Sequence, residues 1–326
     1  MKRTYRSLIL GLSTALLVAA FTSCVSIPDP FDDDGASTEM AVFGAITSSV
    51  QSIEKASETI TPEEEYYIGR SVAASIATAY PVDKGSPNMT TYLNHICETL
   101  VMNSEKPYLY KGYYVVILDT DEINAMATPG GHIFVSRGLI DCTDSEDALA
   151  AVLAHEISHI QLGHSVQAIK ASRVRAAVND TTKAIAVTSI ATVNTRYGNV
   201  LSDKEMAEVL EAVNTFSDAS NEVFKTLVNT GFSKDQEFEA DKKALHILQD
   251  AGYDPYAMLD MLAQLEESSS NTGWGATHPA PKDRIKKVEK ELKSMAKQNP
   301  SLKQARQIRT ERFESEYEDY KIFEID

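Results

Sequence analysis

Residues 154–164 read Ala-His-Glu-Ile-Ser-His-Ile-Gln-Leu-Gly-His. The stretch continues an apolar series, Leu149, Val152, Leu153, Ile157 and Ile160, whose spacing is that of one helix face. Thr143, with Glu146 three residues on, offers a capping box for the start of that helix. On a helix, His155 and His159 share a face with Cβ atoms ~5–6 Å apart, close enough for both rings to grip one ion. A His-Glu-x-x-His string on a helix is a zinc-hydrolase arrangement, with two histidine ligands and the glutamate, here Glu156, as general base. Glu156 lies ~100° around the helix from His155, so it turns toward a cleft beside the metal rather than into the coordination shell.

Two histidines and a water leave a tetrahedral zinc one protein ligand short. The later histidine of the longer metzincin motif is absent, because His164 directly follows Gly163 and position 165 is Ser. A carboxylate from elsewhere is therefore expected. The helical stretch 235–248 places Glu237 and Asp241 four residues apart on one face. Like charges there destabilise an isolated helix by roughly 0.2–0.5 kcal/mol. That cost disappears if Glu237 binds the cation and Asp241 accepts a hydrogen bond from a ligand histidine. Glu239 points elsewhere and has Lys243 four residues on, the pattern of an exposed ion pair. His164 reads as a packing residue, and His95 and His246 carry no assigned chemistry.

Outward from this centre the chain is predominantly helical. Thr61-Pro62-Glu63-Glu64-Glu65 marks a helix start, with a cap, a first-turn proline and acidic residues. The period then changes, and Tyr113 to Leu118 and Gly131 to Ser136 read as short strands. Residues 165–234 form a long helical excursion whose apolar stripe is core packing or, on the sharper reading, a lid. Further helices fit Pro255 to Glu267 and Pro281 to Met295, and the charged tail 298–326 is expected to be loosely held. The fold class is α+β, with a small sheet beside the catalytic helix.

The 326 residues hold 47 acidic and 31 basic side chains, a formal charge of −16, which argues against a nucleic-acid binder. The body has no apolar run of ~20 residues that could span a bilayer. At the start, Lys2, Arg3 and Arg6 precede the apolar run Leu8 to Phe21, so residues 1–23 read as a signal peptide. The junction Phe21-Thr22-Ser23-Cys24 resembles a lipobox, which implies lipidation at Cys24. Cleavage near Ala20 to give a soluble secreted product is the alternative. Residues 24–42, rich in Pro, Asp, Gly and Ser, fit a solvated tether. Cys97 and Cys142 leave one disulfide possible, or two separate thiols.

Several ordered blocks carry a family resemblance: Asn124-Ala125-Met126-Ala127, Pro129-Gly130-Gly131, Ser136-Arg137-Gly138-Leu139, the string 154–164, Glu237-Phe238-Glu239-Ala240-Asp241, Thr277-His278-Pro279 and Arg284-Ile285. On these the chain resembles the HtpX and CAAX prenyl endopeptidase family of gluzincin zinc metallopeptidases, and within it the bacterial periplasmic lipoprotein branch. The resemblance implies a zincin-like domain over residues 43–297 and one Zn²⁺ held by His155, His159 and Glu237. It also implies Glu156 as base, Asp241 behind a ligand, and His278 and Arg284 steadying the oxyanion or gating the metal. A purely structural His278, capping the last helix before Pro279 and Pro281, is the alternative. Membrane members of the family place spanning helices beside the catalytic helix, whereas the comparable Ala184 to Val193 stretch is short and mildly apolar. An anchored enzyme is expected, and prenylated substrates are not implied. Some members carry a helical-repeat tail, for which the residues after the last block are too few.

The strand containing Gly130, Gly131, His132, Ile133 and Phe134 is expected to be the substrate edge, to which an extended peptide adds by main-chain hydrogen bonds. The expected function is a zinc endopeptidase of the bacterial cell envelope, lipid-anchored at the outer membrane and facing the periplasm, that hydrolyses misfolded or unassembled envelope proteins. The competing reading is a non-catalytic lipoprotein that assembles or chaperones envelope proteins through the same cleft.

Overall fold

The computed structural model describes residues 60–178, 220–268, 277–278, 281–295 and 301–323. The signal peptide, Cys24, the tether and most of the 165–234 excursion lie outside the described residues. The chain divides into two units, Met1–Glu64 with Ile169–Ala219, and Glu65–Ala168 with Ser220–Asp326. Within the first, Thr61 and Glu64 form a reciprocal cap for helix α1 (Pro62–Ala79): Glu64 N donates to Thr61 Oγ1 at 3.2 Å and Thr61 N donates to Glu64 Oε2 at 2.7 Å.

The second unit is built around one helix. After α2 (Pro87–Met102) come strands β1 (Tyr114–Leu118), β2 (Ala125–Ala127) and β3 (His132–Ser136), the short α3 (Arg137–Cys142), and α4 (Glu146–Leu162), which carries the two histidines. Every residue of α4 from Glu146 to Gln161 is buried. A helix buried on all sides belongs at the centre of a core. The sheet, α2, α6 (Lys234–Asp250), α7 (Ala257–Ser268) and α9 (Ser301–Phe323) pack around it. Its N-cap is Ser145, whose Oγ accepts from Ala148 N at 3.3 Å; Thr143 instead ends α3, so the expected Thr143–Glu146 box does not form. Gly163, at φ 69°, ends α4 in the left-handed conformation and opens α5 (His164–Val178).

Strand order is β1-β3-β2, with β3 parallel to β1 and antiparallel to β2. The strand expected at the substrate edge is therefore the central one, and both its sides are paired. Alternation along 131–136 looks the same for a central and an edge strand, which is why the order was not readable from it. The outer side of β1 is closed: Asn94 bonds both N and O of Val115 at 2.9 Å, and Val82 bridges to Leu118. The outer side of β2, which packs against α4, pairs with no strand among the described residues.

The C-terminal segment is not loosely held. Residues 301–323 form α9, which buries Phe313 and Tyr320 and sends Arg309 and Arg312 to the N-terminal end of α4. Arg309 grips Asp147 through two bonds of 2.8 Å, and Arg312 Nε reaches Glu146 Oε2 at 2.6 Å. Cys97 and Cys142 are free thiols.

Candidate metal centre

The stretch 154–164 folds as a helix because its apolar residues are matched on every side, and i,i+4 spacing then sets the two histidine rings face to edge. Their Nε2 atoms approach to 3.1 Å. Helix α6, begun by a Ser233–Gln236 capping box, brings Glu237 opposite them: Glu237 Oε2 lies 3.5 Å from His155 Nε2 and Oε1 lies 3.5 Å from His159 Nε2. His278 Nε2 stands 3.9 Å from Glu237 Oε1 and 3.9 Å from Glu156 Oε1. A donor atom from each of His155, His159, Glu237 and His278 falls within 4.8 Å of the others. Gly231 is required for this placement, since a Cβ there would meet Thr277 O at 1.8 Å. Thr277 Oγ1 in turn lies 3.0 Å from His278 Nδ1.

The residues present fit a metal ion. Both carboxylate oxygens of Glu237 and Oε1 of Glu156 are buried and accept no hydrogen bond, an arrangement costly in a protein interior unless a cation completes it. His155, His159 and Glu237 are the two-imidazole, one-carboxylate set of a catalytic zinc site, and His278 stands beside them as a fourth donor.

Behind the donors sits a second ring of charge. Asp241 Oδ1 lies 3.0 Å from His155 Nδ1, and Arg284, fully buried on α8 (Pro281–Ser294), bonds Asp241 through Nε at 2.9 Å and Nη2 at 2.6 Å. Burial opposes ionisation of Asp241, but the Arg284 guanidinium outweighs it and holds the carboxyl far below the ordinary range. Burial, with the Arg284 charge, disfavours a proton on His155; the neighbouring carboxylates of Asp241 and Glu237 reverse this and hold its pKa at about 9. A cation between His155 and Glu237 would replace that proton. Burial keeps His159 well below its usual value and brings His278 down to about 3, so both present neutral rings. Glu156 is pushed up to about 7, chiefly by burial.

The structure brings together His155, Glu156, His159, Glu237, Asp241, His278 and Arg284. It does not bring the 130–134 stretch to them as an edge. Gly130 and Gly131 form a packed turn, where a Cβ would meet Tyr66 Cα at 2.5 Å and Gly112 O at 2.2 Å respectively. His132 stacks on Tyr66 at 5.5 Å, and Ile133 and Phe134 are buried. Glu239 does not pair with Lys243, which reaches Glu105 at 2.5 Å. It faces His164, 3.5 Å from Nε2, and His164 Nδ1 lies 2.8 Å from His159 Nδ1. His164 is thus a member of the site that helical spacing alone conceals; the signal for it is the glycine just before it. Among the described residues no helix is long and apolar enough to cross a membrane.

A His-Glu-x-x-His helix faced by a glutamate on a second buried helix, with the motif's own glutamate unbonded beside the donors, defines a metallopeptidase of zincin type. The chain belongs to peptidase family M48, whose profile it matches over residues 87–292. It is 27% identical over 238 residues to the beta-barrel assembly-enhancing protease of Yersinia pestis, covering 71% of this chain and 44% of that one. Metalloprotease YcaL of Escherichia coli is 26% identical over 286 residues, 86% of this chain and 98% of the relative. Metalloprotease LoiP of Escherichia coli is 25% identical over 219 residues, 66% and 73% of the two chains. The chain spans less than half the length of the beta-barrel assembly-enhancing proteases it matches.

Proposed function

We propose that this chain is a zinc-dependent endopeptidase of the bacterial cell envelope that hydrolyses misfolded or unassembled proteins. The observation that carries the catalytic part is Glu156: a buried carboxylate whose Oε1 has no hydrogen-bond partner, beside the three donors His155, His159 and Glu237. A buried acid without a structural partner has a task only if a substrate or water arrives there. Zinc, when bound, supplies Lewis acidity and a water that loses its proton near neutral pH. Glu156, buried beside the three donors, would take a proton from the attacking water and return it to the leaving amine. His278 Nε2, within 4 Å of both Glu156 and Glu237, is placed to meet the developing oxyanion or to take the remaining metal position. Arg284 is a positioning residue: its hydrogen bonds hold Asp241 behind His155, and its Nη1 lies 3.6 Å from Glu237 Oε2.

The outer side of β2 pairs with no strand among the described residues and is the one side of the sheet left for a substrate strand. Thr128 N bonds His132 O and Ser136 N bonds Asn124 O, so by antiparallel alternation the peptide groups of Ala125 and Ala127 face away from β3. Ala125, Met126 and Ala127 are nonetheless buried, so an extended chain could pair there only once that cover moves aside; main-chain pairing of this kind selects unfolded substrates with little regard to side chain. The signal-like residues 1–23, Cys24 and the similarity to the beta-barrel assembly-enhancing proteases support an envelope location with a lipid anchor in the outer membrane.

The test compares wild type with Glu156→Gln on a denatured outer-membrane protein, with and without a chelator. Turnover should fall by about 10²–10⁴-fold in the variant while its zinc content and fold stay those of wild type, and the chelator should silence wild type. Equal cleavage by the two proteins sinks the peptidase mechanism.

A further inference from the structure

We propose that His164 is a positioning residue of the metal centre: it fixes the tautomer and orientation of His159 through a His159–His164–Glu239 relay that ends at the surface. The inference rests on the metallopeptidase reading and deepens it. His155 Nε2 and His159 Nε2 face each other and Glu237; to hold a cation there each would offer a lone pair on Nε2 and carry its proton on Nδ1. For His155 the acceptor that enforces this is Asp241, itself clamped by Arg284. No carboxylate stands in that place for His159. Its Nδ1 meets His164 Nδ1 at 2.8 Å, a distance at which one nitrogen donates and the other accepts. His159 must donate, so His164 accepts on Nδ1 and keeps its own proton on Nε2. That nitrogen has no hydrogen-bond partner among the described residues and meets Glu239 Oε2 only as a charge contact at 3.5 Å, with the Glu239 side chain 64% exposed.

Three local features build the relay. On an uninterrupted helix a residue five places on is rotated by about 140° from His159 and could not meet it. The left-handed turn at Gly163 breaks the helix and swings His164 back onto the ring. Phe232 stacks on His159 with centroids 4.3 Å apart and contacts His164 at 5.7 Å, covering the pair on its apolar side. His164 itself is fully buried. A buried imidazole with a Coulombic partner on one side and a ligand histidine on the other is poorly explained as core packing.

The experiment measures zinc affinity by chelator competition for the full chain, wild type, His164→Ala, His164→Asn and Glu239→Gln, with thermal unfolding of each metal-free protein alongside. His164→Ala should bind zinc about 10–100-fold more weakly. His164→Asn, which restores an acceptor near the Nδ1 position, should recover most of the loss. Glu239→Gln should weaken binding less than His164→Ala. In ¹⁵N-histidine spectra of the metal-free protein, His164 should appear as the Nε2–H tautomer. Unchanged affinity in His164→Ala, or equal losses in Ala and Asn, overturns the relay. If His164→Ala fails to fold, the Asn and Glu239→Gln variants and the tautomer of wild-type His164 still decide it. A wild type that retains no zinc would instead remove the metallopeptidase reading itself.

Discussion

The two ends of α4 bury the same kinds of groups and treat them oppositely. At the N-terminal end, Glu146 and Asp147 are fully buried, yet every oxygen is used: Glu146 accepts from Tyr92 Oη at 2.8 Å, Tyr253 Oη at 3.0 Å and Arg312, and Asp147 from Asp254 N at 2.9 Å and Arg309. Near the C-terminal end, Glu156 and Glu237 are equally buried but keep oxygens that accept nothing. Carboxylates at a helix N-terminus also meet the favourable end of the helix dipole, which those near its C-terminus do not. The first cluster is closed and holds the helix in place. The second keeps carboxylate oxygens without donors, as a cation site requires.

The difference can be broken at the closed end first. Arg309→Ala should destabilise the protein by about 3 kcal/mol, because Asp147 is left charged and buried. Arg312→Ala should cost less, about 1 kcal/mol, since Arg312 is half-exposed and Glu146 keeps its two tyrosine donors. Urea unfolding of both variants checks the order. A loss below 0.5 kcal/mol for Arg309→Ala would show that α9 decorates the helix rather than fastening it.

At the open end a Glu→Gln change should have the reverse sign, and only at high pH. Burial raises Glu156 from 4.5 to about 7. An acid raised in this way contributes fully to stability below its unfolded pKa and loses that contribution as pH rises through the folded value. At about 1.4 kcal/mol per pKa unit, the shift amounts to about 3 kcal/mol. Chelator-treated Glu156→Gln should therefore gain on wild type between pH 5 and pH 8 by up to that amount, whereas Glu146→Gln should be less stable than wild type at both. Parallel pH profiles for wild type and Glu156→Gln would mean that Glu156 finds a partner in solution, and the contrast between the two ends would fall.

Which parts were legible in the sequence follows from how local the information is. His155, Glu156 and His159 were readable because a single helix fixes their geometry, and Glu237 with Asp241 because like charges on one face ask for a counter-charge. What was misread depends on distant segments. Strand order placed β3 in the centre although its alternation fits an edge. Helical spacing offers Lys243 to Glu239, but Lys243 finds Glu105 on the connection after α2, leaving Glu239 to His164. Arg309 and Arg312 looked like solvated charges of a loose tail, because nothing within α9 reveals that Asp147 and Glu146 are waiting at another helix end. The Thr143 cap was displaced by a serine two residues on, the smallest of these errors and the only purely local one.

A smaller effect than those at Arg309 and Glu156 bears on the hinge that separates α4 from α5. Gly163 stands at φ 69°, and a Cβ there would meet only Val166 Cβ at 3.9 Å, an ordinary contact. Any effect of Gly163→Ala is therefore one of backbone conformation, with no clash to confuse it, and should be a loss of about 1–2 kcal/mol. Gly163→Asn should lose less, because asparagine tolerates the left-handed region. The two variants also separate stability from site geometry. If alanine relieves its strain by continuing α4 through position 163, His164 rotates away from His159, and zinc affinity falls along with stability. If it keeps the turn, stability falls alone. Thermal unfolding and chelator competition on both variants distinguish these outcomes. An alanine variant as stable as wild type would show that the left-handed turn is not what ends α4, and would remove the reason for His164 meeting a ligand five residues before it.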